Sequence, residues 1–118
     1  MPIYTVYHAN DLFAAYQHVS THKPLEREQY HPVAAVEAEA LEAVFQLTNS
    51  IEQPRWYHRA VTPVPGAVPT RSTSVGDVVV QGRKVWIVDR FGFTETRWVT
   101  RSWLPRLFSW MHREEVTR

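Results

Sequence analysis

The stretch RSTSVGDVVVQGRKVWIVDRFGF, residues 71–93, decides how the chain is read. Gly76-Asp77 forms a turn pair, and it launches an apolar strand over 78–81. Gln81-Gly82-Arg83 supplies a tight reversal, with Gly82 giving the backbone freedom such a turn needs. A second strand returns over 84–91. Gly92, set between Phe91 and Phe93, permits a bend or bulge. TETRWVT, residues 94–100, then reads as a third strand rich in β-branched and aromatic side chains. Local physics therefore predicts a hairpin or meander in the second half of the chain.

The same logic extends toward the N-terminus. IYTVYH, residues 3–8, has strand composition. Asn10 and Asp11 are cap residues, and Leu12, Phe13, Tyr16 and Val19 recur at helical spacing, which predicts a helix over 11–19. THKPLEREQ reads as a polar loop, and HPVAAVEA, residues 31–38, as a further strand. Leu41, Val44, Phe45 and Thr48 mark a second helix over 39–48, with Asn49 suited to end it in a left-handed conformation. Residues 50–75 hold Pro54, Pro63, Pro65 and Pro69 and read as a long proline-rich loop. Beyond the meander, Ser102 caps a tryptophan-rich helix over 103–115. Pro105 falls in its first turn, and Leu104, Leu107, Phe108 and Met111 form its apolar stripe. The expected fold is α+β: a small antiparallel sheet packed with two or three short helices, in a single domain spanning residues 1–118.

Charge is distributed unevenly. The chain of 118 residues has a net charge of +1, yet residues 1–53 carry −5 and residues 54–118 carry +6. Eleven of the thirteen basic residues are arginine, whose planar fork suits carboxylates and phosphates and stacks on aromatic rings. One consequence is mutual neutralisation of two packed halves; the other is a basic face for nucleic acid or an acidic protein. There is no cysteine, so disulfides and thiolate metal sites are excluded. No apolar run is long enough to span a membrane, and the opening MPIYTVYHAND lacks the basic and apolar regions of a signal peptide. The expectation is a cytoplasmic protein that makes no use of a membrane.

Candidate chemistry is sparse. His18 and His22 stand four apart, but Ser20, Thr21 and Pro24 weaken a helix through them, and the further ligands a zinc site needs would be His31 or a distant carboxylate. Metal binding is not expected. Ser72, Ser74, His58 and Asp77 supply triad residue types without a nucleophile-elbow motif. Glu37, Glu39 and Glu42 sit where acids favour a helix start. The four glycines, Gly66, Gly76, Gly82 and Gly92, are dispersed, so no phosphate-binding loop is formed and no cofactor is expected. Arginines and aromatics interleave in RWYHR, residues 55–59, and RWVTR, residues 97–101. That mixture suits a protein interface or single-stranded nucleic acid. The candidate partner-binding residues are Arg55, Trp56, Tyr57, Arg59, Arg97, Arg101, Trp103, Arg106 and Trp110, with no catalytic residue assigned.

RSTSVGDVVV, followed by WIVD and FGF, resembles the YodL-like domain, a small domain met in proteins of plasmids, conjugative elements and phages. The likeness covers residues 71–93, about a fifth of the chain. YTVYHANDLFAAYQHV and LEAVFQLTN are similar to short hypothetical proteins of bacterial mobile elements with the same ending. The chain departs from the pattern in continuing past Phe93 with its tryptophan-rich segment. The resemblance implies a mobile-element setting, in which small proteins act on host systems by binding, as anti-restriction and anti-CRISPR proteins do. It implies no catalytic residues. The leading expectation is thus a non-enzymatic inhibitor of a host or defence-system protein. The alternatives are a nucleic-acid-binding accessory protein and a small-molecule or nucleotide binder; a homodimer is compatible with all three.

Overall fold

The computed structural model describes residues 1–19, 24–49, 59–65 and 71–99. The predicted helix over 103–115, and most of the proline-rich segment, lie outside them. The strands are β1 (Ile3–Ala9), β2 (Leu25–Glu26), β3 (Tyr30–Glu37), β4 (Val61–Pro63), β5 (Val78–Gln81), β6 (Lys84–Val88), β7 (Phe93–Thr96) and β8 (Trp98–Val99). The helices are α1 (Leu12–His18) and α2 (Leu41–Thr48). Six strands form one antiparallel sheet in the order β4-β3-β1-β5-β6-β7, while β2 and β8 pair in parallel as a separate ribbon. The fold is α+β, as expected.

Strand β1 joins the two halves of the chain. It pairs with β3 along its length and with β5 on its other side, Thr5 opposite Val80 and Tyr7 opposite Val78. The acidic and basic halves therefore share one sheet.

Side-chain alternation along each strand sends residues to opposite faces. Tyr4, Val6, Val36 and Val79 are buried in one cluster, against which Leu41, Leu47, Trp86 and Phe93 pack. Helix α2 covers that face, with Phe45 set edge-on to Phe93. The other cluster buries Ala9, Ala15, Leu25, Tyr30, Val78, Val85 and Ile87, beneath α1 and the β2–β8 ribbon. Asp11 caps α1 by accepting from the backbone N–H of Ala14 at 3.2 Å.

Several boundaries differ from the sequence reading, beginning with the polar loop over 21–29, which contains β2 and a 3-10 turn at Arg27–Gln29. The strand expected over 84–91 stops at Val88, because Asp89 folds the chain back. Its Oδ1 accepts from the Phe91 N–H, its Oδ2 accepts from the Thr94 hydroxyl, and its own N–H donates to Gly92. The strand expected over 94–100 breaks at Arg97, whose carbonyl accepts from Leu25 N at 2.9 Å, so that Trp98 and Val99 join β2 instead. Finally, Val61–Pro63 lies inside the segment read as loop and forms an edge strand against Ala34–Val36. Proline is tolerated there because an edge strand leaves one row of N–H groups unpaired.

Candidate functional site

The RSTSVGD segment builds the most concentrated polar cluster among the described residues. Asp77 is fully buried at the start of β5. Its Oδ1 accepts from Ala9 N at 2.9 Å and from Arg71 Nη2 at 2.7 Å; its Oδ2 accepts from Ser74 N at 2.7 Å and from Arg71 Nη1 at 2.6 Å. A carboxylate held by two backbone N–H groups and a bidentate guanidinium has its lone pairs satisfied, which is what makes burial of the charge tolerable. Arg71 also donates to the carbonyls of Ser72 and Ala9. The pair thereby ties the end of β1 to the start of β5.

Gly76 lets the segment turn. Its φ is +101°, a region that side chains disfavour, and an added Cβ would stand 3.2 Å from Tyr16 N and 3.3 Å from Ala15. Helix α1 rests directly on this glycine. Its N–H donates to Val88, and Val88 N returns a bond to Asp77, which closes the turn against β6.

His8 enters the cluster from β1. It is 3% exposed, on the same face as Tyr4 and Val6, with Nε2 3.0 Å from Thr73 Oγ1 and 3.9 Å from Asp77 Oδ2. Burial pulls its pKa down from 6.5 to about 4; Asp77 opposes that shift, while Arg71 and His31 add to it. Tyr30 is pushed up to about 12, by burial first and by the Asp77 charge second. Thr73 is itself fully buried. Its N–H donates to Thr48 at the end of α2, and Asn49 Nδ2 donates to its carbonyl.

The trio Thr73, His8 and Asp77 has the residue types of a nucleophile, a base and an acid. Its geometry is a different one. Asp77 lies toward the same imidazole nitrogen that meets Thr73, whereas a catalytic acid orients the base through its other nitrogen. The Thr73 hydroxyl has no exposed surface from which to reach a substrate. Of the serines weighed from sequence, Ser74 directs its hydroxyl to the Ser72 carbonyl; His58 lies outside the described residues.

Two of the arginines singled out from sequence are described. Arg59 is exposed just ahead of β4, and Arg97 is exposed between β7 and β8. They belong to opposite edges of the six-stranded sheet. Arg55, Trp56, Tyr57, Arg101, Trp103, Arg106 and Trp110 lie outside the described residues, as does His22. No three histidine, aspartate or glutamate side chains converge on a metal-sized space among the described residues. A cavity of about 400 Å³ lies beside α1, lined by Asp11, Ala14, Ala15, Leu25, Glu26 and Tyr30 among others.

The sequence groups Asp77 with Ser72, Ser74 and His58; of these Ser74 meets it, through its N–H, while the partners Arg71 and His8 are not singled out. His8 and Thr73 are 65 residues apart. The available signal was a histidine at an inward position of a strand that otherwise points tyrosine and valine to the core. The chain matches no protein-family model, no curated protein and no solved structure.

Proposed function

We propose that this chain is a non-enzymatic binding protein of a mobile genetic element, acting stoichiometrically on a host or defence-system protein. One observation carries the reading. The polar residues with catalytic potential, His8, Thr73, Asp77 and Arg71, are consumed by contacts with one another and with the backbone, in the seam that joins the sheet to both helices. Such a seam stiffens a scaffold and leaves function to the surface. The mobile-element setting rests on the resemblance of residues 71–93 to the YodL-like domain, and counter-defence is the activity that such a setting favours.

A tagged pull-down from bacterial lysate, with and without nuclease, tests this reading. A stoichiometric protein partner that survives nuclease and high salt supports it. Recovery of nucleic acid alone, lost as salt rises, replaces it with the accessory-protein reading, because phosphate contacts release counterions.

The cavity beside α1 favours a second reading, a small-molecule binder. Its volume of about 400 Å³ falls in the usual range of ligand pockets. A thermal-shift screen of nucleotides and metabolites checks it, since a ligand that binds the folded state raises its stability.

A further inference from the structure

The turn between β6 and β7 is built to hold an aromatic side chain out of the protein. Asp89 fixes both limbs by accepting from the Phe91 N–H and the Thr94 hydroxyl, and its own N–H donates to Gly92. These contacts hold the Asp89 carboxyl below its usual pKa, Thr94 contributing most, so the clamp stays ionised at neutral pH. Gly92 takes φ +151° with open space around it. At the tip Phe91 is 99% exposed. Among the described residues this phenylalanine joins neither core cluster.

Its surroundings continue the pattern. The Arg90 guanidinium lies over the Tyr16 ring at 5.2 Å, which fastens the turn to α1 and fixes a cation beside the tip. Tyr16 is 42% exposed, and Phe13, three residues earlier and so on the same flank of the helix, is 76% exposed. At roughly 200 Å² for a solvated aromatic side chain, the three rings present on the order of 400 Å². A standard protein interface takes about 800 Å² from each partner, a little over half of it apolar. The rings thus match the apolar share of one such footprint. Among the described residues the cation pinned at the tip is Arg90, with the ionised Asp89 next to it in the chain, against the several cations a nucleic-acid strand requires.

We infer that Phe13, Tyr16, Arg90 and Phe91 form a docking surface for a protein segment that carries an aromatic or branched apolar side chain next to a carboxylate. This rests on the protein-binding reading and supplies it with a face and a partner chemistry. Phe91 is the anchor, since aromatic and arginine side chains dominate binding hot spots. Arg90 selects the acidic neighbour.

The test pans the immobilised full chain against a phage-displayed library of random dodecapeptides. The consensus peptide is then titrated against wild type, F91S, F13S/F91S and R90E. The expected result is enrichment of apolar side chains beside Asp or Glu, with affinity at least about tenfold weaker in F91S. R90E is also expected to weaken binding, and a peptide with Lys in place of its acid to restore it. Unchanged circular dichroism shows that the variants fold, as surface positions allow. Equal binding by wild type and F13S/F91S, or no enrichment over the double variant, overturns the inference. A wild-type dimer that F91S converts to monomer gives the surface to a second copy and also overturns it, as does oligo-dT binding that F91S abolishes. If F13S/F91S still captures the partner found by pull-down, this surface is wrong and the protein-binding reading stands. If neither pull-down nor panning yields a protein ligand, both fall.

Discussion

Arg71 grips Asp77 through both terminal nitrogens, Nη1 to Oδ2 at 2.6 Å and Nη2 to Oδ1 at 2.7 Å. The acid is wholly buried and the base is 29% exposed, so the pair lies at the boundary of the core. Removing one partner there differs from removing a surface ion pair. Arg71→Met leaves a buried carboxylate with its two backbone donors and no counter-charge. Asp77→Ala leaves the Ala9 and Ser74 N–H groups without their acceptor. Breaking a buried pair costs about 3–5 kcal/mol. Both variants are expected to fall near that range in urea denaturation. Arg71→Lys, which keeps the charge and loses the fork, is expected to lose less. Full stability in Arg71→Met would remove the pair from the account of the fold.

His8 makes the protein sensitive to mild acid. Its folded pKa is about 4, below the ordinary 6.5. Above 6.5 both the folded and unfolded states hold it neutral, and stability is at its full value. As the pH falls below 6.5 the unfolded chain takes up a proton that the folded chain refuses, so stability declines until the pH reaches about 4. The loss across that window is about 3 kcal/mol at most. Urea midpoints at neutral pH and near pH 4.5 measure it. His8→Gln, which can still bond Thr73 and does not titrate, is expected to flatten the profile in that window.

Gly76 and Gly82 both have positive φ, and substitution separates them. At Gly76 a Cβ meets the backbone of α1, with Tyr16 N at 3.2 Å, and φ is +101°. Gly82 has φ +59° and nothing within 4 Å. Gly76→Ala therefore combines backbone strain with displacement of the helix, and is expected to cost about 2 kcal/mol or more. Gly82→Asn places a residue tolerant of left-handed backbone in an open turn, with a cost below about 1 kcal/mol. Thermal melts of the two variants give the comparison directly. Equal losses would mean that α1 yields at no cost.

The contrast also explains what was legible in the sequence. Gly82 sits in a two-residue reversal between apolar runs, and both its role and the flanking strands could be read from neighbouring residues. The helices α1 and α2 and the Asp11 cap are likewise local, but α1 turns Phe13 and Tyr16 of its expected apolar stripe outward. Helix α2 starts after Ala40 without a side-chain cap, and Asn49 ends it at φ −108° rather than in the left-handed region. Gly76 was readable as a turn, but the helix resting on it comes from sixty residues earlier. Strands β2 and β4 are two and three residues long and carry no periodicity; each exists because a distant partner presents free N–H and C=O groups. The polar cluster was half legible: Asp77 stood out in its motif, while His8 and Thr73 join it through pairing of β1 with β5. The exposed Phe91 reads from the sequence as the end of a strand, because nothing local distinguishes an inward phenylalanine from one that a side-chain clamp turns outward.

The β2–β8 ribbon tests how far the two-residue pairing depends on aromatic contacts. Trp98 stands 5.3 Å, centroid to centroid, from both Tyr7 and Tyr30, and Arg27 lies over Tyr7 at 4.5 Å and over Trp98 at 5.6 Å. Arg27 also donates to the Tyr7 hydroxyl at 3.3 Å. A parallel pair of two residues has too few hydrogen bonds to persist alone, so these rings hold it against the sheet. Trp98→Ala is expected to free the ribbon while the six-stranded sheet remains folded. Hydrogen exchange resolves the two events: the Leu25 amide, bonded to Arg97 at 2.9 Å, should lose protection, and the Val6 and Val79 amides at the centre of the sheet should keep theirs. Simultaneous loss at all three amides would show that the ribbon and sheet unfold as one unit, and that Trp98 belongs to the common core.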